Sequence, residues 1–201
     1  LPPYAVAPLA PARLPSAPSG PGVLGGPYFV ALGTIEPRKG YAQTLEAFDV
    51  LWSQGVDVNL VFIGKQGWLV EELINKIQTH PELNKRLFWL ESISDEYLEK
   101  LYHASACVVA ASFGEGFGLP LIEAASKNIP IFARDIPVFR EVAGDHAFYF
   151  TANDPKEYAQ AVINWLELYK KQAHPPSGGM PHLTWKESTD SLVNNLLSSI
   201  N

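Results

Sequence analysis

Residues 28–63 read YFVALGTIEPRKGYAQTLEAFDVLWSQGVDVNLVFI, two short apolar runs separated by a longer amphipathic one. The runs Tyr28–Leu32 and Asn59–Ile63 are apolar at nearly every position, as expected of parallel strands buried on both faces. Between them, large apolar side chains recur at helical spacing, at Tyr41, Leu45, Phe48 and Trp52. This strand–helix–strand order predicts a parallel sheet with a helix packed against it.

The same alternation continues along the chain. Further strands are predicted at Leu87–Leu90, Ala106–Ala111, Ile129–Ala133 and Ala147–Phe150. Further helices are predicted at Trp68–Thr79, Asp95–Ala104, Pro120–Lys127 and Trp185–Ile200, and on the apolar stripe Tyr158, Val162, Trp165 and Tyr169. The predicted fold class is α/β, a Rossmann-like doubly wound parallel sheet, which binds ligands at the carboxyl ends of its strands. The loops to search are therefore 33–40, 64–68, 91–94, 112–119 and 134–139.

Composition limits the class of protein. A hydrophobic fraction of 47% and a charged fraction of 18% are typical of a globular domain. The net charge of −6 gives no overall positive field to hold a nucleic acid, so we expect no nucleic-acid partner. The single cysteine, Cys107, cannot form an internal disulfide, and the sequence has neither a signal peptide nor an apolar run of about 18 residues. These features predict a cytoplasmic protein.

The amino terminus differs from the rest of the chain. Residues 1–27 contain eight of the 17 prolines and follow neither helical nor strand periodicity. We interpret them as an extended, Pro/Gly-rich linker, because such a composition cannot form a core. The folded domain is predicted to span residues 28–201.

The first loop carries two adjacent cations. It reads GTIEPRKG over residues 33–40, directly before the first predicted helix. Gly33 would let a ligand approach the backbone, and Arg38 and Lys39 precede a helix amino terminus, which itself favours anions. This arrangement suits a diphosphate. A solvated charged turn is an equal alternative for this loop taken alone.

The second loop carries two carboxylates. Residues 112–123 read SFGEGFGLPLIE, which places Glu115 in a glycine-rich loop and Glu123 about one turn into the following helix. The peptide N–H groups of residues 116–119 would lie between them, free to bind a phosphate or a sugar hydroxyl. Carboxylates so placed suit hydrogen bonds to sugar hydroxyls. Alternatively, Glu123 only stabilises an exposed helix by about 0.3–1 kcal/mol.

These two motifs carry a resemblance to a known family. Glu115 and Glu123, set in EGFGLPLIEA, closely resemble the Glu-x(7)-Glu motif of retaining glycosyltransferases of family 4. Together with GTIEPRKG at 33–40 and GKQGW at 64–68, they resemble the donor-binding domain of bacterial mannosyltransferases that build O-antigen or similar surface glycans. The resemblance implies one half of a GT-B fold, with an amino-terminal acceptor domain absent from this chain.

The resemblance also implies residue roles. Glu115 would contact the transferred hexose and Lys39 would bind the diphosphate, which makes them the candidate catalytic pair, while Glu123 would bind the nucleotide ribose. Many members carry arginine where this chain has Thr34, so the second cation is assigned to Arg38, with Lys65 as the alternative. The candidate donor-binding residues are Gly33, Thr34, Arg38, Lys65, Ile93, Gly116, Phe117, Gly118, Leu119 and Glu123.

The function implied is transfer of a hexose, mannose from GDP-mannose, to a growing surface glycan or lipid-linked acceptor. No metal or other cofactor is expected, because the sequence has no Asp-x-Asp motif and its five histidines lack ligand spacing. The chain alone is expected to bind donor but to transfer little, and the full-length protein to associate peripherally with the inner face of the membrane.

Two alternatives to this function stay open at the level of the sequence. One is a sugar-nucleotide-binding module of the same fold without catalytic activity. The other is an NAD-dependent enzyme, which the absence of Gly-x-Gly-x-x-Gly from the first strand–helix turn disfavours. A site role for Glu141, near which family members often carry an acid, stays open.

Overall fold

The computed structural model describes residues 26–183 and 185–198. The predicted linker therefore lies outside the described residues up to position 25, as do positions 199 and 200 of the last predicted helix. In the described part of the chain, no helix is both long enough and apolar enough to cross a bilayer.

The described strands form one six-stranded parallel sheet in the order β3-β2-β1-β4-β5-β6. The strands are β1 Tyr28–Leu32, β2 Asn59–Ile63, β3 Leu87–Leu90, β4 Cys107–Ala110, β5 Ile131–Arg134 and β6 Phe148–Phe150. This order confirms the Rossmann-like doubly wound sheet, in which the chain reverses its direction of travel between β1 and β4. The loops after these two central strands consequently meet at one edge of the sheet.

Helices cover both faces of the sheet. They are α1 Tyr41–Ser53, α2 Glu71–Gln78, α3 Asp95–Ala104, α4 Leu119–Ser126, α5 Pro137–Ala143 and α6 Pro155–Lys170, with a short 3-10 turn at Pro37–Lys39. Helix α7, Trp185–Ser198, follows them, and its described side chains are exposed. Alternate residues of β1 enter the two cores, Phe29 on one side and Val30 on the other. Both predicted aromatic stripes line the core on the Phe29 side of the sheet, where the centroids of the Phe29 and Trp165 rings are 5.1 Å apart.

Several element predictions need correction. Helix α4 begins and ends one residue earlier than predicted, and strand β6 begins one residue later. Helix α2 begins at Glu71 rather than Trp68, because Leu69 has a left-handed φ of 50° and Val70 is not helical. Strand β5 begins at Ile131 rather than Ile129, since the Ile129 amide closes the turn after α4 by donating to the Ala124 carbonyl. Strand β4 is one residue shorter at each end than predicted.

Helix α5 also differs from the prediction, since the sequence predicts a loop over 134–139 and no element over 140–143. Proline stands at its first position, where the missing N–H costs no hydrogen bond, and Phe139 and Ala143 form its buried face. The helix is only seven residues long, so its apolar repeat is too short to stand out in the sequence.

Candidate functional site

The first loop is pressed against the end of β4. Gly40 has a φ of 72°, and a Cβ placed on it would lie 2.3 Å from the Ala111 carbonyl oxygen. Beside it, the Phe113 amide donates to the Arg38 carbonyl over 2.8 Å. Only glycine at position 40 permits this approach without strain, and the approach carries Arg38 and Lys39 alongside residues 112–115.

The first loop is also joined to the loop after β2, residues 64–68. The Ile35 amide donates to the Lys65 carbonyl, the Gly67 amide donates to the Ile35 carbonyl, and both distances are 2.9 Å. These main-chain bonds extend the pairing of β1 and β2 beyond the strands. The side chains of Thr34 and Lys65 are exposed on this extension.

The carboxylate of Glu115 is the meeting point of the two motifs. It accepts hydrogen bonds from Lys39 Nζ, from Arg38 Nη1 over 3.0 Å and from Ser112 Oγ over 2.8 Å. Its side chain is only 10% exposed and that of Lys39 15%. The predicted convergence of Lys39 with Glu115 is therefore present, although 76 positions separate them in the chain.

The charge state of Glu115 follows from these contacts. Burial alone raises the pKa of the carboxyl, but the hydrogen bonds from Lys39 and Ser112 and the Lys39 charge outweigh it, so the pKa of Glu115 lies below its ordinary value. Glu115 is consequently ionised at neutral pH. It can accept hydrogen bonds from neutral hydroxyl groups of a ligand.

Arg38 stands at the open side of this pair. Its guanidinium is 47% exposed and joins Glu36 and Glu115, each over 3.0 Å. The hydrogen bond to Glu115 is the main reason that the pKa of Arg38 is raised. Because Arg38 is half exposed and Glu115 keeps its contacts with Lys39 and Ser112, the guanidinium can exchange Glu115 for an anionic ligand at small cost.

Glu123 stands apart from that cluster. It lies on the first turns of α4 and forms no ion pair within 4 Å of any described residue. Burial of its carboxyl raises the pKa of Glu123, against the opposing influence of Lys127 and the Tyr102 hydroxyl. The structure thus places Glu123 on the helix as predicted, without bringing it into contact with Lys39 or Glu115.

The start of α4 offers main-chain donors. Gly118, with a φ of 91°, precedes the first helical residue, Leu119, and the amides of residues 116–119 donate to no described residue. Phe117 and Leu119 are exposed here, at 57% and 45%. The helix amino terminus adds partial positive charge, which favours an anion or a hydroxyl oxygen at this position.

A small cavity of about 20 Å³ lies between the ends of β1 and β4. Lys39, Tyr41, Ser112 and Glu115 are in its wall. That volume holds about one water molecule. A hexose would therefore have to bind above the cavity, on the surface formed by the loops.

The remaining predicted residues lie at the same edge or near it. Ile93 is half-buried and packs against the core beside β3, and Glu141 is exposed on α5. Sequence reasoning missed two residues that contact the site. Ser112 could have been found as the hydroxyl three residues before Glu115, and Arg134 as a cation ending an apolar strand.

Comparisons with known proteins identify the family of the chain. The family model for glycosyl transferases group 1 matches residues 21–177. The serotype-specific mannosyltransferase WbdA of Escherichia coli is 55% identical over 170 residues, which are 85% of this chain and 21% of that protein. The chain thus spans about a fifth of this relative's length.

Solved structures show the same fold. The C-terminal domain of the group 1 glycosyl transferase LpcC from Francisella tularensis is 22% identical with a TM-score of 0.61, over 77% of this chain and 81% of that one. Anabaena HepE, solved with UDP and glucose, is 19% identical with a TM-score of 0.67, over 86% of this chain and 48% of that one. The architecture is that of one half of a GT-B glycosyltransferase, and the chain belongs to the glycosyl transferases of group 1.

Proposed function

We propose that this chain is the donor-binding domain of a retaining mannosyltransferase, which holds GDP-mannose for transfer to a growing surface glycan or lipid-linked acceptor. The observation that carries the proposal is the contact of Lys39 and Arg38 with Glu115 at the carboxyl edge of the sheet. The mannosyltransferase WbdA and the structure of HepE with UDP and glucose support the substrate class.

The chemistry assigns a task to each charged group. When the bond from the anomeric carbon to the diphosphate breaks, negative charge develops on the leaving nucleotide. Lys39, Arg38 and the amides at the start of α4 meet that charge as it forms, and this electrostatic stabilisation lowers the barrier. Glu115 accepts hydrogen bonds from the hexose hydroxyls. In this proposal the cations of the chain take the place of a metal ion, and no cofactor takes part.

The other predicted residues complete the donor site. Glu123 binds the ribose and the loop around Ile93 lines the base. The amides of residues 116–119 hold the sugar and the distal phosphate, while Gly33, Thr34 and Lys65 border the diphosphate. Arg38 replaces the arginine that relatives carry at the Thr34 position.

The division of labour within the whole protein is part of the proposal. Residues 28–201 form the donor domain, residues 1–27 link it to a preceding part, and the acceptor is recognised outside this chain. The chain alone accordingly binds donor and transfers little sugar. The full-length protein works in the cytoplasm, at the inner face of the membrane.

Calorimetric titration tests the proposal. We expect the chain to bind GDP-mannose more tightly than GDP, UDP or UDP-glucose, equally well with and without a chelator. Lys39→Met should weaken GDP by about tenfold to a hundredfold, because a charge-assisted hydrogen bond contributes about 1.5–3 kcal/mol. Lys100→Met, which removes an exposed lysine paired with Glu96 on α3, is the matched control and should change nothing.

Glu115→Gln separates the two parts of the donor. It should abolish the advantage of GDP-mannose over GDP while leaving the affinity for GDP within about twofold, because the carboxylate is assigned to the hexose and not to the nucleotide. Absence of binding by every nucleotide at millimolar concentration would reject the proposed function.

A further inference from the structure

Arg134 is a buried cation at the end of β5. The residue is only 7% exposed, in a strand whose other members are the apolar Ile131, Phe132 and Ala133. Burying a guanidinium is unfavourable unless its donors are satisfied and its charge is compensated. An apolar side chain of similar size would fill the same space at lower cost, so the presence of arginine needs a reason.

Its hydrogen-bond partners are neutral. Nε donates to the Ala111 carbonyl over 2.9 Å, and Nη2 donates to Gln43 Oε1. Among the described residues, no carboxylate lies within 4 Å of this guanidinium. Burial accordingly lowers the pKa of Arg134. The two acceptors satisfy N–H donors of the Arg134 guanidinium but do not neutralise its positive charge, as a carboxylate in an ion pair would.

The flat guanidinium also contacts two aromatic rings. Its central carbon lies 4.3 Å from the centroid of Phe113 and 5.1 Å from that of Phe150. Phe150 belongs to the core, whereas Phe113 is 56% exposed and belongs to the loop that carries Glu115. One side chain therefore touches a strand end, a loop and the core at once.

The contacted residues flank the candidate catalytic pair. Gln43 is in the first turn of α1, four positions after Lys39. Ala111 and Phe113 are on either side of Ser112, which itself donates to Glu115. Arg134 thus bridges the segment that positions Lys39 and the segment that positions Glu115.

We propose that Arg134 is a positioning residue, whose planar guanidinium clamps the first turn of α1 to residues 111–113 and thereby sets the contact between Lys39 and Glu115. A lysine retains the charge but cannot donate from two nitrogens fixed in one plane while stacking on Phe113. The benefit of this clamp to sugar transfer rests on the proposed function, whereas the contact itself is measurable without any ligand.

The test is an NMR titration of the Glu115 carboxyl in the ligand-free chain, comparing wild type with Arg134→Lys, Arg134→Met and Gln43→Ala. An opposite charge in contact lowers a carboxyl pKa by about 1–3. We therefore expect the pKa of Glu115 to rise by about 1 in both Arg134 variants. The rise should be smaller in Gln43→Ala, which loses the contact with α1 but keeps those with Ala111 and Phe113. Arg140→Met, which removes an exposed arginine paired with Asp135, is the control and should leave it unchanged.

The two Arg134 variants separate geometry from charge. If Arg134→Lys titrates like wild type, the charge alone matters and the clamp is rejected. Unchanged titration in Arg134→Met rejects it as well. Should Arg134→Met fail to fold, Arg134→Lys and Gln43→Ala still decide between these outcomes, with thermal unfolding to verify the native state.

Donor binding provides the second readout. We expect Arg134→Lys to weaken GDP-mannose by about tenfold and GDP by a smaller factor, because GDP-mannose depends on both Glu115 and Lys39 whereas GDP depends on Lys39 alone. If the wild-type chain binds no nucleotide sugar, the proposed function is rejected. The titration of the Glu115 carboxyl still tests the clamp, because it needs no ligand.

Discussion

Replacement of Gly40 by alanine tests whether main-chain contact between the first loop and β4 assembles the site. Gly40 has a φ of 72°, and its added Cβ would lie 2.3 Å from the oxygen and 3.0 Å from the carbon of the Ala111 carbonyl. Both are backbone atoms at the end of a central strand, so they cannot turn away as a flexible side chain would. Either the loop or the strand end must move.

The expected loss of stability has two parts. A left-handed conformation costs an L-residue about 1–2 kcal/mol. Inserting a carbon into a closely packed contact adds about 1–3 kcal/mol. Gly55 provides a matched control, because it has a φ of 75° with no described atom within 4 Å of its added Cβ. Gly55→Ala should therefore lose only the conformational part, and the effects on the unfolded chain cancel between the two variants.

The assay is urea denaturation of both variants. The free energies of unfolding are compared provided that the two variants have equal m-values, the slopes of the free energy against urea concentration. We expect Gly40→Ala to lose about 1–3 kcal/mol more than Gly55→Ala, the contribution of the added contact alone. It should also raise the pKa of Glu115, since the shift that relieves the clash carries Lys39 away. Equal losses in the two variants would refute the reasoning that close approach at Ala111 holds the first loop.

Two further predictions concern titrating groups. The pKa of Glu115 is lower in the folded chain than the unfolded value of about 4.3, so its contribution to stability is present above that pH and is lost as the pH falls through the folded pKa. In urea denaturation from pH 6 to pH 3, the free energy of unfolding should therefore fall less in Glu115→Gln than in wild type. Parallel profiles in the two proteins would contradict the assigned contacts. The Tyr102 hydroxyl on α3 lowers the pKa of Glu123, so Tyr102→Phe should raise that pKa in an NMR titration. Tyr97→Phe, which removes another buried hydroxyl from the same helix, should leave it unchanged; equal shifts in the two variants would argue against a specific interaction.

The sheet was predictable because strands buried on both faces leave continuous apolar runs, of which Asn59–Ile63 is an example. Lys39 and Glu115 could be predicted as site residues because the carboxyl ends of the strands in a doubly wound sheet lie at one edge. Their contact could not be derived, since it depends on how closely Gly40 approaches Ala111, a distance between segments remote in the chain. The contacts of Arg134 could not be predicted, because Gln43, Ala111 and Phe113 come from segments remote from it in the chain. The ribose role of Glu123 stays a prediction.

The loops after β2 and β4 are each joined to the loop after β1 by main-chain hydrogen bonds, at Ile35, Gly67 and Phe113, in addition to the side-chain contacts of Glu115. Peptide groups are the same whatever residue bears them, so this bonding survives most substitutions. Outward-facing positions such as Thr34 and Lys65 can then diverge between homologues while the framework beneath them stays intact. If the chain binds an activated sugar as proposed, substitutions at these outward-facing positions can change which sugar it selects while the main-chain framework stays the same.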